Sequence, residues 1–390
     1  MVGVRLVRIL TEEYVNAPEF EFLGAWVRQE AAAVFGPVEE VPARELGDGP
    51  PGTPVLVVDG RTLITRRSLR RMGEVLAATG RPVAPVPLDE TSLVAERPLY
   101  TLREYEALEE AFLTGGAGRS EEAMRGRWGL LVPGDGGAAQ LAGAPIHRWL
   151  EGREGVVEGE PVAAAGLCHR FADYYGQARG DVADLLAAEG VLEPRDGGPA
   201  GVLEVGCGRG ATGGLLQERF GCRVTGVELN PVVARAAREH LHRVVAGDFQ
   251  RVSEDLVAAG PFDALVALEL FEHLTEQERF LEVARRLVRP GGRIVLSVPN
   301  VGHHSIVTDL LAGRWDYVPI GLLCYTHFRF FTRHTLEDWL TRCGFRKFTI
   351  LAQETALPEG WRRLGAVPGG VEPDLENLAA KGFYVVASVE

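Results

Sequence analysis

Lysine is almost missing from this 390-residue chain: of its 41 basic residues only Lys347 and Lys381 are lysines, and the rest are arginine. Acidic residues outnumber basic ones, 54 to 41, for a net charge of −13. The positive field on which nonspecific polyanion binding depends is therefore lacking, and nucleic acid is not the expected partner. No run of about 18 apolar residues occurs, so no membrane span is expected. Cysteine is scarce as well, with five residues at 168, 207, 222, 324 and 343 that form no CxxC pair and no metal-ligand spacing. The odd count, and an opening MVGVRLVRIL in which basic residues interrupt the apolar ones, predict reduced thiols in a cytoplasmic protein that begins with a strand and not an export signal.

Glycine is plentiful, and its placement is informative. Val202 to Gly210, VLEVGCGRG, is an apolar strand with an acidic residue near its end that runs into a turn with three glycines. Such a turn brings backbone close to a ligand where side chains would block the approach. Gly206-x-Gly208-x-x-Ala211 also satisfies the dinucleotide fingerprint, so a nicotinamide-dependent (NAD) oxidoreductase competes at this point. A second strand ends at Glu228, 18 residues past Gly210, where a carboxylate would accept the hydroxyl protons of a ribose. Gly247-Asp248-Phe249 closes a third strand, Pro261 to Leu268 runs into Glu269-Leu-Phe-Glu272-His273, and Arg289-Pro290-Gly291-Gly292 follows a helix.

This order of segments resembles class I S-adenosylmethionine-dependent methyltransferases, within the branch of ubiquinone-biosynthesis O-methyltransferases and of sugar and natural-product methyltransferases. The resemblance covers roughly Cys168 to Glu390. It implies S-adenosylmethionine as cofactor, with Glu204, Gly206, Cys207, Gly208 and Gly210 along its amino-acid part, Glu228 at the ribose, Asp248 and Phe249 around the adenine, and a ring of Tyr174 or Tyr175 over the cofactor. Leu229, Asn230, Gly247, Leu268 and Glu269 complete the expected contacts. Asp248, the Pro-Gly-Gly turn and a late hairpin speak against the oxidoreductase, and a non-catalytic cofactor-binding scaffold remains the third reading.

Methylation of an oxygen calls for a base, and His273, His303, His304 and His327 follow the fourth and fifth strands, where open α/β sheets hold ligands. Glu269-x-x-Glu272-His273 resembles a pattern that holds magnesium in some quinone O-methyltransferases, which makes Glu269, Glu272 and His273 a candidate metal set. Residues 301–331 form an insertion that resembles a lid. In it Trp315, Tyr317, Tyr325, Phe328, Phe330 and Phe331 offer either an apolar rest for a small hydroxylated acceptor or a satellite core, and Arg314 or Arg329 could meet a phosphate or carboxylate.

Alternating strands near 201–206, 223–228, 243–247, 262–268 and 293–298 with helices near 211–220, 231–241, 249–259 and 275–288 predict a doubly wound, mainly parallel, Rossmann-like α/β sheet. A helix at 335–343 and strands at 346–352 and 382–389 bring the sheet to seven. Upstream, a helix is expected over 167–190. Residues 1–115 read as a further α/β domain with strands at 3–9, 38–41, 54–58 and 82–86 and helices at 19–34, 65–78 and 102–113. Pro54 to Met72 faintly resembles nucleotide-sugar pyrophosphorylase-like domains, with Asp59 as the matched acid, although their glycine-rich loop is missing. Residues 116–166 form a Gly/Ala-rich connector with a strand at 129–132 and a hairpin around 156–162. The expected partner is a small-molecule acceptor, with a homo-oligomer compatible.

Overall fold

A computed structural model describes residues 3–9, 18–42, 53–59, 62–83, 86–87, 101–113, 129–132, 165–168, 175–194, 198–318, 321–363, 365 and 370–390. Two compact units result, Met1–Ala172 with Asp316–Gly321, and Asp173–Trp315 with Leu322–Glu390. The sequence reading places the second domain's start at 167 and keeps 316–321 within it. Tyr174, the expected hairpin at 156–162 and most of the connector lie outside the described residues.

In the first unit, β1 (Val4–Ile9), β2 (Val38–Glu40), β3 (Val55–Asp59), β4 (Thr62–Leu63), β5 (Val86–Pro87), β6 (Gly129–Val132) and β7 (Ala165–Cys168) make two sheets, ordered β2-β1-β3-β6 and β4-β7-β5. β1 is parallel to β2 and β3, and β6 closes the edge antiparallel. Helices Pro18–Phe35 and Arg66–Thr79 supply Val27, Leu69 and Met72 to a core with Leu6, Leu56 and Ile64. Thr65 caps the second helix by accepting from the Ser68 amide, and Gly80 ends it in the left-handed region.

The second unit carries β8 (Gly201–Val205), β9 (Arg223–Glu228), β10 (Arg243–Ala246), β11 (Phe262–Leu268), β12 (Val288–Pro299), β13 (Phe348–Glu354) and β14 (Ala380–Ser388). Their order is β10-β9-β8-β11-β12-β14-β13, with β14 antiparallel to both neighbours and the other pairs parallel. This is the seven-stranded doubly wound sheet that the sequence predicts. The order reverses direction between β8 and β11, which opens the crevice where such sheets bind ligands. Apolar residues fill both faces, Leu203, Leu265, Phe271, Phe280 and Leu296 on one, and Val202, Leu216, Val224, Val266 and Val295 on the other.

Three local expectations need correction. Leu167 and Cys168 pair as strand with Leu63 and Thr62, and among the described residues of the helix expected over 167–190 only Gly180–Ala188 is helical. Gly176 inside the expected helix costs about 1 kcal/mol relative to alanine, and the Tyr175 carbonyl is engaged by the Arg209 amide instead of a helical partner. Of the strand expected at 82–86, the described residues show a bridge at Val83 and the start of the short β5, and 84 and 85 lie outside them. Within the insertion a helix forms at His304–Leu311, which the sequence reading left unassigned. Thr332 caps the helix Arg333–Arg342 through a capping box with Thr335.

Candidate functional site

The glycine turn joins β8 to helix Ala211–Phe220, and Gly206, Gly208 and Gly210 all have positive φ, +75°, +54° and +81°. A Cβ on Gly208 would stand 2.6 Å from the Tyr175 carbonyl oxygen, so neither the space nor the backbone admits a larger residue. The amides of the turn are all engaged within the protein. Gly206 and Cys207 donate to the Val227 carbonyl, Gly208 to Glu228 Oε2 at 3.0 Å, Arg209 to the Tyr175 carbonyl and Gly210 to the Cys207 carbonyl. A pyrophosphate needs such amides open at the helix N-terminus. Here the protein's own oxygens take that place.

Two acids stand at this turn, Glu204 and Glu228, 5% and 7% exposed. Burial raises Glu204 to about 8, the Glu228 charge adding to it and the Gly213 amide opposing, and Glu204 Oε2 has no hydrogen-bond partner. Glu228 is raised by burial too, against the amides of Asn230, at 2.8 Å from Oε1, and Gly208. With the Leu229 amide these use three of the carboxylate's roughly four acceptor positions, which leaves capacity for a further donor. Beside it Leu229 is 71% exposed, an apolar surface at the crevice lip. Two buried acids with spare acceptor capacity next to an uncovered aliphatic side chain fit a cationic amino acid joined to a nucleoside.

Across the crevice, Glu269 follows β11 with φ +47°, a strained conformation for a side-chain-bearing residue. Its amide donates to Ser297 Oγ at 2.9 Å, and that hydroxyl donates to Glu269 Oε1 at 2.6 Å. Glu269 lines a cavity of about 400 Å³ at the sheet edge together with Arg179, Asp181, Glu354, Lys381 and Tyr384. Arg179 and Tyr384 both bond to Asp181. Burial alone would raise Asp181, but these partners outweigh it and hold the carboxyl at about 2. Burial, reinforced by Asp181, pushes the Tyr384 phenol up.

The histidines separate into two groups. His303 is fully buried and caps helix His304–Leu311: Nδ1 accepts from the Ser305 amide at 3.3 Å and Nε2 lies 3.0 Å from Thr355 Oγ1. Burial, then the adjoining His304 ring at 4.2 Å, lowers it to about 3. His273 and His327 instead meet edge to face at 4.7 Å beside Glu272. Burial lowers His273 to about 4, and burial followed by His273 lowers His327 to about 3, so both are neutral near pH 7.

A methyltransferase-domain family model matches residues 174–350. The ubiquinone biosynthesis O-methyltransferase of Xanthomonas axonopodis pv. citri is 41% identical over 195 residues, 47% of this chain and 77% of that protein. Its counterpart in Xanthomonas euvesicatoria pv. vesicatoria is 39% identical over 192 residues, 47% and 76% of the two chains. The relative in Xanthomonas oryzae pv. oryzae (strain PXO99A) is 41% identical over 108 residues, 26% of this chain and 44% of its own length. The chain belongs to the S-adenosylmethionine-dependent methyltransferases.

Within this methyltransferase most of the expected cofactor residues lie at the tips of β8, β9, β10 and β11, though not all by their side chains. Cys207 points beneath the turn, where burial pushes its thiol up and its sulfur fills the space a Cβ on Gly226 would need. The Phe249 ring is turned into the core against Phe280, centroids 5.0 Å apart. Asp248 and Asn230 each cap the following helix. Gly247 has φ +145°, Leu268 ends β11, and Tyr175 meets the turn through its carbonyl. Of the acceptor residues expected in the insertion, Trp315, Tyr325 and Arg329 do not line the cavity, and Tyr317 groups with the first unit. Sequence reading overlooked Arg179, Asp181, Ser297, Lys381 and Tyr384, which are scattered over 206 positions and follow no motif. Among the described residues no helix is long and apolar enough to cross a membrane.

Proposed function

We propose that this methyltransferase methylates a hydroxyl oxygen of a small, polar, hydroxylated acceptor, such as a sugar, a sugar conjugate or a natural-product-like metabolite. The observation that carries the reading is the polar cavity at the carboxyl edge of β11 and β12, whose wall presents acids, cations and a phenol within one space. Alternating donors and acceptors suit a ligand with several hydroxyls better than an apolar ring. The relatives bear the name O-methyltransferase, which supports oxygen as the atom methylated.

Bound S-adenosylmethionine supplies an electrophilic methyl group on a sulfonium. Glu204, Glu228, Leu229 and the turn around Gly208 would hold it. Glu269, fixed by Ser297, would accept a hydrogen bond from the acceptor hydroxyl and so aim its oxygen; orientation of this kind supplies roughly 7 to 11 kcal/mol in favourable cases. Arg179, tied to Asp181 and Tyr384, and Lys381 would engage the remaining oxygens of the acceptor.

S-adenosylhomocysteine formation across a panel of sugars, sugar nucleotides and simple phenols tests the proposal. Turnover confined to polyhydroxylated compounds is expected. Turnover confined to phenols overturns the acceptor class, and no turnover with any compound favours the scaffold.

A further inference from the structure

β13 and β14 do not keep one register along their whole length. From Phe348 with Ala387 to Ala352 with Phe383 they pair one for one, but the next pair is Glu354 with Ala380. Gln353 therefore stands opposite two residues, Lys381 and Gly382, the arrangement of a β-bulge, which re-aims side chains. Strict alternation along β14 would send Gly382 and Tyr384 to one face and Lys381 to the other, yet all three line the cavity, and Gln353 lines it with them. The bulge is pinned from behind by Asn300, which is fully buried. Its side-chain amide donates to the Ala380 carbonyl at 2.7 Å and its backbone amide to the Lys381 carbonyl at 3.0 Å. A Cβ on Gly382 would stand 2.7 Å from the Val298 carbonyl oxygen, so glycine is required there.

Given that the cavity holds the acceptor, we propose that Lys381 and Gln353 form a carboxylate-binding subsite at this bulge. The acceptor is then a hydroxy acid, such as a sugar acid, with its carboxylate at the bulge and its reacting hydroxyl at Glu269.

Two observations carry this. Gln353 Nε2 is buried and has no hydrogen-bond partner among the described residues. The last torsion of a glutamine is broad, and a half-turn about it exchanges the amide nitrogen with the oxygen, so the N–H groups can be offered to a ligand. A donor left without a partner is stabilised by an acceptor that reaches it. Lys381 makes no ion pair among the described residues, whereas Lys347, the other lysine of the chain, pairs with Glu390 at 3.4 Å. Of the other charges on the wall, Arg179 is held by Asp181, Glu269 is bonded to Ser297, and Glu354 is exposed, where solvent screens it. One uncommitted cation beside a donor-only nitrogen matches a singly charged group with two acceptor oxygens. That is a carboxylate and not a doubly charged phosphate monoester.

Calorimetric binding to the full-length protein loaded with S-adenosylhomocysteine tests the subsite without relying on turnover. The probes are two matched pairs, methyl glucuronoside with methyl glucoside and a hydroxybenzoate with the corresponding phenol, together with glucose 6-phosphate. The acid of at least one pair is expected to bind roughly tenfold or more tighter than its neutral counterpart, the scale of a hydrogen bond to a charged group. In Gln353→Leu and in Lys381→Met that ratio should fall to roughly threefold or less, with affinity for S-adenosylhomocysteine as the control for folding. Acid and neutral members that bind alike, or not at all, overturn the proposal. So does a preference that survives either substitution, or one for the phosphate over both acids. A preference for the hydroxybenzoate with no binding of either sugar keeps the subsite and overturns only the polyhydroxylated acceptor, so the two readings fail separately.

Discussion

The tips of β8 and β9 and the tips of β11 and β12 lie on the same edge of one sheet, yet they are built differently. At the first, Glu228 is braced by amides from its own strand end and from the turn that directly follows the neighbouring strand, so short stretches of chain define the site. At the second, Glu269 depends on Ser297, 28 residues away, and Arg179 meets Tyr384 across 205 residues. On the proposed reading, cofactor recognition is local and acceptor recognition is assembled. Substitutions at the two tips should therefore fail in different ways.

The largest effect is expected from Gly208→Val. A side chain there meets the Tyr175 carbonyl and demands a φ that L-residues disfavour by about 1 to 2 kcal/mol, before any clash is counted. Affinity for S-adenosylhomocysteine by calorimetry should fall roughly 100-fold or more, which corresponds to about 3 kcal/mol. Unchanged affinity would mean that the turn does not shape the cofactor site.

Glu204 gives the next effect, and its sign follows from burial. Because its carboxyl titrates near 8 when folded and near the ordinary 4.5 when unfolded, the folded state holds the proton more tightly. Its contribution to stability is thus fully present below about pH 4.5 and is lost as pH rises towards 8, by up to a few kcal/mol. Denaturant titrations of the cofactor-free protein across that range should show a decline that Glu204→Gln flattens. An equal slope in the variant would show that Glu204 ionises normally.

The same contrast explains what was legible in the sequence. The sheet was, because strand and helix periods alternate with short connections, and so were the acids at the strand ends beside the glycine turn. The direction of side chains was not: Phe249 and Cys207 stand at motif positions but point into the core. Nor was the cavity, since Arg179, Ser297 and Tyr384 come together only once β14 pairs antiparallel with β12. The helix expected over 167–190 failed because a regular spacing cannot register that Tyr175 engages the glycine turn.

On the assembled side, Tyr384→Phe removes one hydroxyl that bonds to Asp181 and Arg179. If the cavity holds the acceptor, KM for the acceptor should rise roughly tenfold, the scale of one hydrogen bond to a charged group, while cofactor affinity stays constant. A change in cofactor affinity alone would assign the cluster to the other tip.

The smallest effect is expected at His303, where a catalytic and a structural role part most clearly. A catalytic base at this position would make His303→Ala cost roughly 10² or more in rate. The structure gives the ring another task, since Nδ1 accepts from the Ser305 amide and Nε2 meets Thr355. Removing a cap of this kind costs about 1 kcal/mol of stability, with little change in kcat. His303→Asn can restore the capping acceptor without restoring a base, so recovery of stability in that variant together with wild-type turnover would fix the residue as structural. A hundredfold loss of turnover in both variants, with stability unaltered, would return His303 to the chemistry and place the acceptor against helix His304–Leu311.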